Sequence, residues 1–534
     1  MESSSSDVVP VVVIGGGLAG LTAAAHLAER SVLPLVLEAD GLWAGGRLSG
    51  GAPETFSYQG REWSFPTEHG MHALWGGYGN MRATLERFTT TELVPSDGEE
   101  WINRWGRAVR RIEAGTAVRS GWLPAPFHYL QLLFRPRFWS TITPLDFLSL
   151  PGFLATLLMT VGFDPLHEEA ALDGMTLDDY FRGWTPNLRA TFIGLAKNLL
   201  AAPRETISWT AMIAAMRFFT MLRRDSWHPH YLTDHADAAV IQPLIEAIRA
   251  RDGEVMLGAT AQALRRTSEG WRVSVEDQMR GGMRAVLAKH VVLAVDPPAA
   301  ERLLLASEST RQAAEGLRFP GAVRTTTARL WFARQPNAGT SGGMLTGDFA
   351  FDNFFWLHRM QPAFRRWADE TGGSVIELHL YGTDSQLDEP DQVIAIRAVD
   401  EVQRAFPEVR GSFVHHAIRH NSRTQTVFRV PTADCLRVTT PWQDVTACGD
   451  WIGFETPSLW MERSCTTAVA AANVILRAEG CEPFALVEPP PPEALVRALG
   501  GLVRGGRRLF APAVRGLRRL RRGGRYDVPA GGSG

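Results

Sequence analysis

Three glycines and one carboxylate near the N-terminus have the spacing of a turn that binds a dinucleotide. Gly15, Gly17 and Gly20 follow the order G-x-G-x-x-G, and Glu38 ends the next apolar run. The first glycine can make a tight turn, the second lets a pyrophosphate approach the backbone, and the third lets a helix pack closely. A carboxylate in the position of Glu38 accepts a hydrogen bond from a ribose 2′-hydroxyl. The motif predicts a ligand that contains adenosine diphosphate.

The flanking residues predict the strand, helix and second strand that this motif requires. Residues 11–14 are β-branched and uncharged, as in a buried parallel strand, and residues 18–30 have the alanine and leucine content of a helix. Leu18 and Ala19 begin this helix, so its N-terminal amides can bind phosphate. Residues 35–37 read as the second strand. An ordinary glycine-rich turn would not need this order of elements.

Two further segments carry residues that could act on a ligand. Gly45, Gly46 and Arg47 place bare backbone beside a cation, which could face a phosphate or the edge of an electron-rich ring. A flexible loop with a solvated arginine is the alternative. Far downstream, Gly449 and Asp450 end a predicted strand, and a helix follows from Met461, whose N-terminal amides could stabilise negative charge.

Length and composition favour a large protein of a reducing compartment. The 534 residues suggest two domains, and the formal net charge of −2 argues against general affinity for nucleic acid. The N-terminus lacks the basic-then-apolar order of a secretory signal. We therefore expect a cytoplasmic protein without a metal site. The four cysteines are scattered and have no zinc-type spacing: Cys435, Cys448, Cys465 and Cys481.

These motifs together resemble the flavin amine oxidase and phytoene desaturase superfamily. The resemblance covers most of residues 8–478, and it implies FAD as the cofactor. It assigns Gly15, Gly17, Gly20 and Glu38 to the ADP half of FAD. It further implies that three elements contact the cofactor: the GGR element at 45–47, a strand around Val255 near the adenine, and the GD element at 449–450. The segments 68–82 and 449–464 look most like carotenoid desaturases of the ring-aromatising type.

The predicted fold class is α/β, with a discontinuous Rossmann-like FAD-binding domain and an inserted mixed α+β substrate domain. The FAD-binding domain is expected from residues 8–80, 236–320 and 440–478. The substrate domain is expected from residues 81–235 and 321–439. Residues 479–534 form a basic tail rich in proline, glycine and arginine.

Two stretches suggest contact with a lipid surface. Residues 147–163 carry no charge, but the stretch is short for a membrane span and Pro151 interrupts it, so we expect it not to span. Residues 497–525 contain ten arginines and no acid, which suits anionic headgroups better than nucleic acid. Glycines and Pro512 weaken a continuous helix there. A buried helix pair and a solvated tail are the alternatives. We expect a peripheral protein on the inner face of a membrane.

The resemblance implies desaturation of a hydrophobic isoprenoid, expected to be a carotenoid, with aromatisation of a β-ring and a methyl shift as one form of this reaction. Hydride transfer to the flavin leaves a cation, and a nearby group then removes one proton. Glu68, His69 and His72 are the candidates for that group, although they could instead position the flavin or the loop by hydrogen bonds. Three alternatives stay open: an amine oxidase, a hydroxysqualene dehydroxylase-like enzyme, and a non-catalytic prenyl-binding protein of the same fold. The oligomeric state is not predicted.

Overall fold

The strands in the described part of the chain form two large sheets, a three-stranded sheet and a hairpin. The computed structural model describes residues 8–119, 121–168, 174–337 and 339–522. The strands are β1 Val9–Ile14, β2 Pro34–Leu37, β3 Glu54–Tyr58, β4 Arg61–Phe65, β5 Ala73–Leu74, β6 Leu93–Pro95, β7 Glu99–Trp105, β8 Ala108–Glu113, β9 His230–Leu232, β10 Glu254–Met256, β11 Ala259–Arg266, β12 Trp271–Asp277, β13 Met283–Leu293, β14 Ala322–Phe332, β15 Gly342–Gly347, β16 Asn353–Trp356, β17 Ser374–Leu380, β18 Phe413–Thr426 and β19 Val445–Ala447.

The α-helices cover the sheets and fill the connections between them. They are α1 Leu18–Glu29, α2 Gly79–Phe88, α3 Gly115–Arg119, α4 Leu150–Gly162, α5 Leu177–Tyr180, α6 Pro186–Leu200, α7 Trp209–Met216, α8 Gln242–Arg249, α9 Pro297–Ala306, α10 Glu308–Ala314, α11 Pro362–Thr371, α12 Asp384–Leu387, α13 Asp391–Ala405, α14 Trp460–Ala478 and α15 Ala494–Arg522.

The first large sheet has the order β10-β2-β1-β13-β12-β11, with β19 also paired to β13. Strands β10, β2, β1, β13 and β19 are parallel, and they read as continuous apolar runs because helices cover the sheet. Helices α1 and α14 pack against each other beside this sheet. The carboxyl ends of β1, β2, β13 and β19 meet at one edge, where ligands bind in such sheets. The predicted α/β fold class is confirmed.

The second large sheet has the order β18-β14-β17-β16-β15-β7-β8. Its strands are antiparallel except for the β15–β7 pair. Strand β17 lies between β14 and β16, and every one of its residues is buried. This sheet and helices α4 to α7 come from the two stretches predicted as the substrate domain. The domain boundaries themselves stay predictions.

The basic C-terminal segment forms a helix that packs on α4. Within the described residues, α15 is continuous to Arg522, so the expectation that Pro512 and the glycines would weaken it is wrong. Packing of α15 on the rest of the protein stabilises its first turns, because Val496 is buried and Val503 contacts the backbone at Gly162. The predicted basic segment extends to Arg525, and residues 523–534 lie outside the described residues.

The apolar stretch before residue 163 is a 3-10 turn followed by α4. The turn covers Pro144–Ser149, and α4 continues it to Gly162. Together they form the one stretch of the described chain that is long and apolar enough to cross a membrane, by length and composition alone. Only 39% of that stretch is buried, although core helices of soluble proteins pass the same test.

Candidate active site

A cavity of about 960 Å³ lies at the carboxyl edge of the first sheet and extends to the second sheet. One end is formed by the turns after β1, β2 and β13, and the other by residues after β4 and on β14, β17 and β18. The cavity therefore joins the predicted nucleotide site to the predicted substrate domain. Among the residues predicted to contact a cofactor, eleven line it: Gly15, Gly17, Leu18, Ala19, Glu38, Gly45, Gly46, Arg47, Gly449, Asp450 and Met461.

The three glycines of the first turn have three different surroundings. Gly15 has φ +107°, and a Cβ there would lie 2.4 Å from the carbonyl oxygen of Ala294. A Cβ on Gly20 would lie 1.9 Å from the carbonyl oxygen of Gly15, so only glycine allows α1 to approach β1 this closely. A Cβ on Gly17 would point into open space, with Gly45 O at 3.9 Å as its nearest neighbour. The turn is closed on two sides and open toward the cavity.

Glu38 is fixed at the cavity wall by two backbone amides. Its Oε2 accepts a hydrogen bond from Gly16 N at 2.9 Å, and its Oε1 accepts one from Asp40 N at 2.8 Å. Burial raises the pKa of Glu38, while these amide donors act in the opposite direction. Each carboxylate oxygen can accept more than one hydrogen bond, so both can still receive a ribose hydroxyl.

The GGR and GD elements meet in the structure. Arg47 Nη2 lies 2.5 Å from Asp450 Oδ2, and Thr426 Oγ1 donates to the other oxygen, Oδ1, of Asp450 at 3.1 Å. Gly45 N donates to Gly16 O at 2.8 Å, which ties the second glycine loop to the first. These contacts build one continuous wall from segments that are far apart in the sequence.

Two half-buried histidines line the far end of the cavity. The ring centroids of His69 and His72 are 6.2 Å apart, and one ring nitrogen of each is shielded from solvent. Burial lowers the pKa of His69 well below its ordinary value, and the neighbouring His72 adds to this effect. Burial lowers the pKa of His72 to about 4. Both imidazoles are therefore neutral at physiological pH. Within the described structure, Nε2 of His69 and Nδ1 of His72 have no hydrogen-bond partner.

A second polar group on β17 faces the same end of the cavity and was not predicted. Glu377, His379 and Tyr381 occupy alternate positions of the strand and its end, and the latter two line the cavity. His379 Nε2 lies 2.8 Å from Glu377 Oε1, and His379 Nδ1 lies 3.0 Å from Tyr381 Oη. The alternation E-x-H-x-Y in an otherwise apolar strand is a signal that the sequence did carry.

The matched family model decides the class of this site. The model for flavin-containing amine oxidoreductases matches residues 18–476. The chain belongs to the flavin-containing amine oxidoreductase family. It is an FAD-dependent oxidoreductase.

The chain is also similar to individual proteins of known sequence or structure. It is 28% identical to the carotenoid phi-ring synthase of Streptomyces griseus. The aligned 489 residues cover 89% of this chain and 89% of that enzyme. It is 25% identical to the 15-cis-phytoene desaturase of Synechococcus elongatus, over 47% of this chain and 49% of that enzyme. The fold is similar to cyclohexylamine oxidase from Brevibacterium oxydans, with a TM-score of 0.61, 18% identity, and coverage of 89% of this chain and 100% of that one.

The residues of this flavoprotein fit FAD. The open space over Gly17 and the N-terminus of α1 suit a pyrophosphate, and Glu38 suits the ribose of the adenosine half. Trp460 and Met461 begin α14 at the cavity wall, so the N-terminal amides of this helix would stabilise negative charge on a cofactor bound in the cavity.

Three of the predicted site residues do not line the cavity. Gly20 packs α1 against the sheet. Val255 is buried in β10, where it pairs with Val36, and the nearby cavity wall is formed by residues 259–262 instead. Val255 therefore supports the adenine end from behind and does not face it.

Glu68 is the third of these residues, and its position does not agree with direct contact to a substrate. Its Oε2 accepts from Ala236 N at 3.0 Å and its Oε1 accepts from Gln361 Nε2 at 3.1 Å. Burial raises the pKa of Glu68, and the nearby carboxylate of Glu377 raises it further. The side chain anchors the loop that carries His69 and His72, which is the structural role that the sequence left as an alternative.

A second cavity of about 880 Å³ adjoins the first. Tyr381 lines both cavities and so stands at their boundary. The wall of the second cavity combines aromatic and aliphatic side chains with the ion pair Lys197–Asp352, whose atoms are 2.5 Å apart. Its main apolar wall residues are Trp105, Trp184, Ile193, Leu345 and Phe349.

Proposed function

We propose that this flavoprotein introduces carbon–carbon double bonds into a hydrophobic isoprenoid, and that the isoprenoid is a carotenoid. The observation that carries the proposal is the similarity to a carotenoid phi-ring synthase along 89% of both chains. When bound, FAD supplies a two-electron acceptor for a hydride. The protein must hold the substrate against it, exclude water and accept a proton.

The end of the cavity away from the nucleotide turn suits an uncharged substrate. Its walls come from buried residues of β14, β17 and the loop after β4, which exclude water from the reacting carbon atoms. The neutral imidazoles of His69 and His72 add polar atoms without adding charge. Such an environment tolerates a cation that is spread over conjugated double bonds.

An amine substrate is less well served by this end of the cavity. A bound ammonium group needs a carboxylate or an aromatic cage to replace its water shell. Among the described residues, the four carboxylates that line the cavity lie on the nucleotide side: Glu38, Asp40, Asp296 and Asp450. The opposite end has Arg419 in its wall, which repels an ammonium group.

The finer form of the proposal is aromatisation of a β-ring. Loss of a hydride beside the ring's gem-dimethyl carbon leaves a cation, to which one methyl group can migrate with its bonding electrons. Loss of a proton from a neighbouring carbon then forms the double bond. Each new double bond thus takes one hydride and one proton from the substrate, and the migration makes an aromatic ring accessible.

The proposal is tested in bacteria that accumulate lycopene, γ-carotene or β-carotene. We expect expression of this chain to convert one of them into a product that lacks two hydrogens per new double bond, with a shifted absorption spectrum. Cells that express Gly17→Val should show no conversion, because this variant fills the pyrophosphate site. Unchanged carotenoids, together with oxidation of cyclohexylamine by the purified yellow protein, would contradict the proposal and favour an amine oxidase.

We further propose that the protein lies on an anionic membrane surface, on the inner, cytoplasmic face. The segment from residue 122 to α4 exposes many large apolar side chains to solvent, whereas most such residues elsewhere are buried. Exposed groups of this kind mark lipid or protein contacts. The most exposed are Trp122, Phe134, Trp139, Leu145, Phe147 and Leu148.

Helix α15 adds positive charge beside this apolar segment. It packs on α4, and Arg507 Nη1 donates to Gly162 O at 3.0 Å. Leu502 and Leu509 are exposed on one face of α15, with arginines on its exposed surface. The apolar stretch and the basic segment therefore act as one surface, which suits apolar insertion together with attraction to anionic headgroups.

A further inference from the structure

The group formed by Tyr381, His379 and Glu377 has the geometry of a proton relay that opens on the active-site cavity. Tyr381 lines both cavities, so its hydroxyl group lies beside the space that a substrate in the active-site cavity would occupy. Its hydroxyl is 3.0 Å from His379 Nδ1, and His379 Nε2 is 2.8 Å from Glu377 Oε1. Glu377 and His379 lie at alternate positions of β17, and Tyr381 directly follows the end of this strand, so the pleat fixes their order.

Glu377 fixes the tautomer of His379. Burial acts to raise the pKa of Glu377, but the guanidinium of Arg329, 2.7 Å away, and the hydrogen bond from His379 hold it below its ordinary range. Glu377 is thus a carboxylate that can only accept hydrogen bonds, as it also does from Met71 N at 2.7 Å. Nε2 of His379 must therefore carry a hydrogen, and in the Nε2-protonated tautomer Nδ1 accepts the hydroxyl hydrogen of Tyr381.

The hydroxyl oxygen of Tyr381 has a further donor. Asn353 Nδ2 donates to it at 3.3 Å, and Asp352 Oδ2 accepts from the backbone amide of Tyr381 at 2.7 Å. Burial raises the pKa of Tyr381, and the carboxylates of Asp352 and Glu377 raise it further, although the Asn353 donor acts in the opposite direction. The hydroxyl can therefore act only by passing its own proton on as it takes another. The other charged or titratable groups near His379 are His69 and His72 from the loop before β5, Asp352 from the loop before β16, and Arg329 from β14.

We propose that Tyr381 is the catalytic residue that takes the substrate proton, and that His379 and Glu377 draw that proton away from it. The proposal rests on the desaturation proposed above. One substrate carbon gives a hydride, with its electron pair, to FAD, which is reduced by two electrons. The neighbouring carbon gives a proton to Tyr381 Oη as the tyrosine's own proton moves to His379 Nδ1. The electron pair of that second C–H bond becomes the new π bond, and Glu377 stabilises the imidazolium that results.

The relay differs from the proton acceptor predicted from the sequence. His69 and His72 line the same cavity, but within the described structure neither has a carboxylate bonded to its ring to stabilise the charge after protonation. His379 has such a carboxylate. We therefore place His69 and His72 beside the substrate as neutral polar contacts, with the relay as the route by which the proton leaves.

The first test is spectroscopic and does not depend on turnover. Holoenzyme labelled with ¹⁵N-histidine should show His379 as a neutral ring protonated at Nε2 at pH 7, with its signal identified by its loss in His379→Gln. Tyr381→Phe should shift the Nδ1 resonance, because it removes the hydroxyl donor. A His379 ring that is doubly protonated at pH 7 could not accept a proton, and this result would overturn the relay.

The second test measures flavin reduction by the carotenoid in single-turnover mixing. Tyr381→Phe and His379→Gln should slow it by ~100-fold or more, as expected for loss of general-base catalysis, with FAD content unchanged. A solvent deuterium isotope effect in the wild type should be absent in Tyr381→Phe. Tyr231→Phe, at a buried tyrosine outside the cavity, should behave as wild type.

The two proposals fail in different ways. If no carotenoid reduces the flavin of the wild type, the desaturase function is contradicted and the relay loses its role. If the wild type is reduced and Tyr381→Phe is reduced equally fast, desaturation stands and the relay is overturned. If His72→Ala alone abolishes reduction, the proton acceptor is His72 and the relay is overturned.

Discussion

Arg47 and Asp450 are separated by 403 positions in the sequence, yet their side chains form an ion pair of 2.5 Å at the cavity wall. Asp450 is buried, and Arg47 is about a quarter exposed. The pair holds the GGR loop against the turn after β19, so that two distant segments form one side of the FAD site. It links cofactor binding to the assembly of the discontinuous domain.

We expect Arg47→Ala to weaken FAD binding and to destabilise the fold. Removal of the guanidinium leaves the buried carboxylate of Asp450 with the hydroxyl of Thr426 as a remaining partner, at a cost of about 2 kcal/mol. Flavin content and the thermal midpoint measure the two effects. The double variant Arg47→Ala/Asp450→Asn should recover part of the stability, because the unpaired charge is gone. Equal stability of Arg47→Ala and wild type would contradict a structural role for the pair.

The glycines of the first turn should separate cofactor binding from folding. Gly17→Val places its side chain in open space and its backbone is extended, so this variant should fold but lose FAD and be colourless. Gly20→Ala forces a Cβ to within 1.9 Å of Gly15 O, so it should destabilise the whole domain. Circular dichroism and flavin absorbance measure both. A folded Gly17→Val variant with stoichiometric flavin would show that the pyrophosphate lies elsewhere.

Much of the nucleotide end could be predicted from the sequence because it depends on local patterns. A glycine fingerprint, two apolar strands and a helix start are all contained in residues 11–38, and the turn they form needs no distant contact. The second half of the site could not be predicted in this way. Which residue of a buried strand faces a cavity depends on the register of that strand in its sheet, and β17 pairs with β14 and β16 from other parts of the chain.

The role of Glu68 could not be predicted from the sequence either. Its position next to His69 suggested a shared function, but successive residues of a loop point in different directions. The carboxylate turns toward Ala236 and Gln361, which only the folded chain brings near. The continuous helix α15 was missed for a related reason, since its contact with α4 outweighs the low helix propensity of its glycines.

Four histidines with a lowered pKa should make folding stability fall as the pH is lowered. Burial lowers the pKa of each to about 4, so between about pH 6.5 and 4 the unfolded chain binds protons that the folded chain does not. Stability is then fully present above about pH 6.5 and is lost below it, by about 1.4 kcal/mol per pH unit for each histidine. They are His26, His72, His128 and His358.

The variant His26→Leu tests this dependence away from the active site. His26 packs between the rings of Phe88 and Phe484, where a leucine can take its place. Urea denaturation between pH 7.5 and 5.5 should show a shallower loss of stability than in wild type. The matched control is His167→Gln at an exposed position, which should keep the wild-type slope. The same slope in His26→Leu as in wild type would contradict the contribution of this residue.

The proposed membrane surface combines two interactions that respond differently to salt. Attraction of arginine to anionic headgroups is screened by ions, whereas insertion of apolar side chains is not. Arg504→Gln/Arg508→Gln removes two exposed charges of α15, each worth on the order of 1 kcal/mol near an anionic surface. This variant should bind anionic vesicles more weakly at low salt and equally at high salt.

Phe147→Glu/Leu148→Glu changes two exposed apolar residues of the turn before α4 and should weaken vesicle binding at both salt concentrations. Ile396→Glu on α13 is the matched control, because this apolar residue is also exposed but lies outside the segment from residue 122 to α4, and it should bind as wild type does. These substitutions test the surface more specifically than truncation after Pro492 would. The truncation would also expose the face of α4 that contacts Val503 and so change the apolar surface itself. If all variants and the wild type float with anionic vesicles to the same extent at both salt concentrations, the proposed membrane surface is contradicted. The exposed apolar residues would then be expected to contact another protein instead.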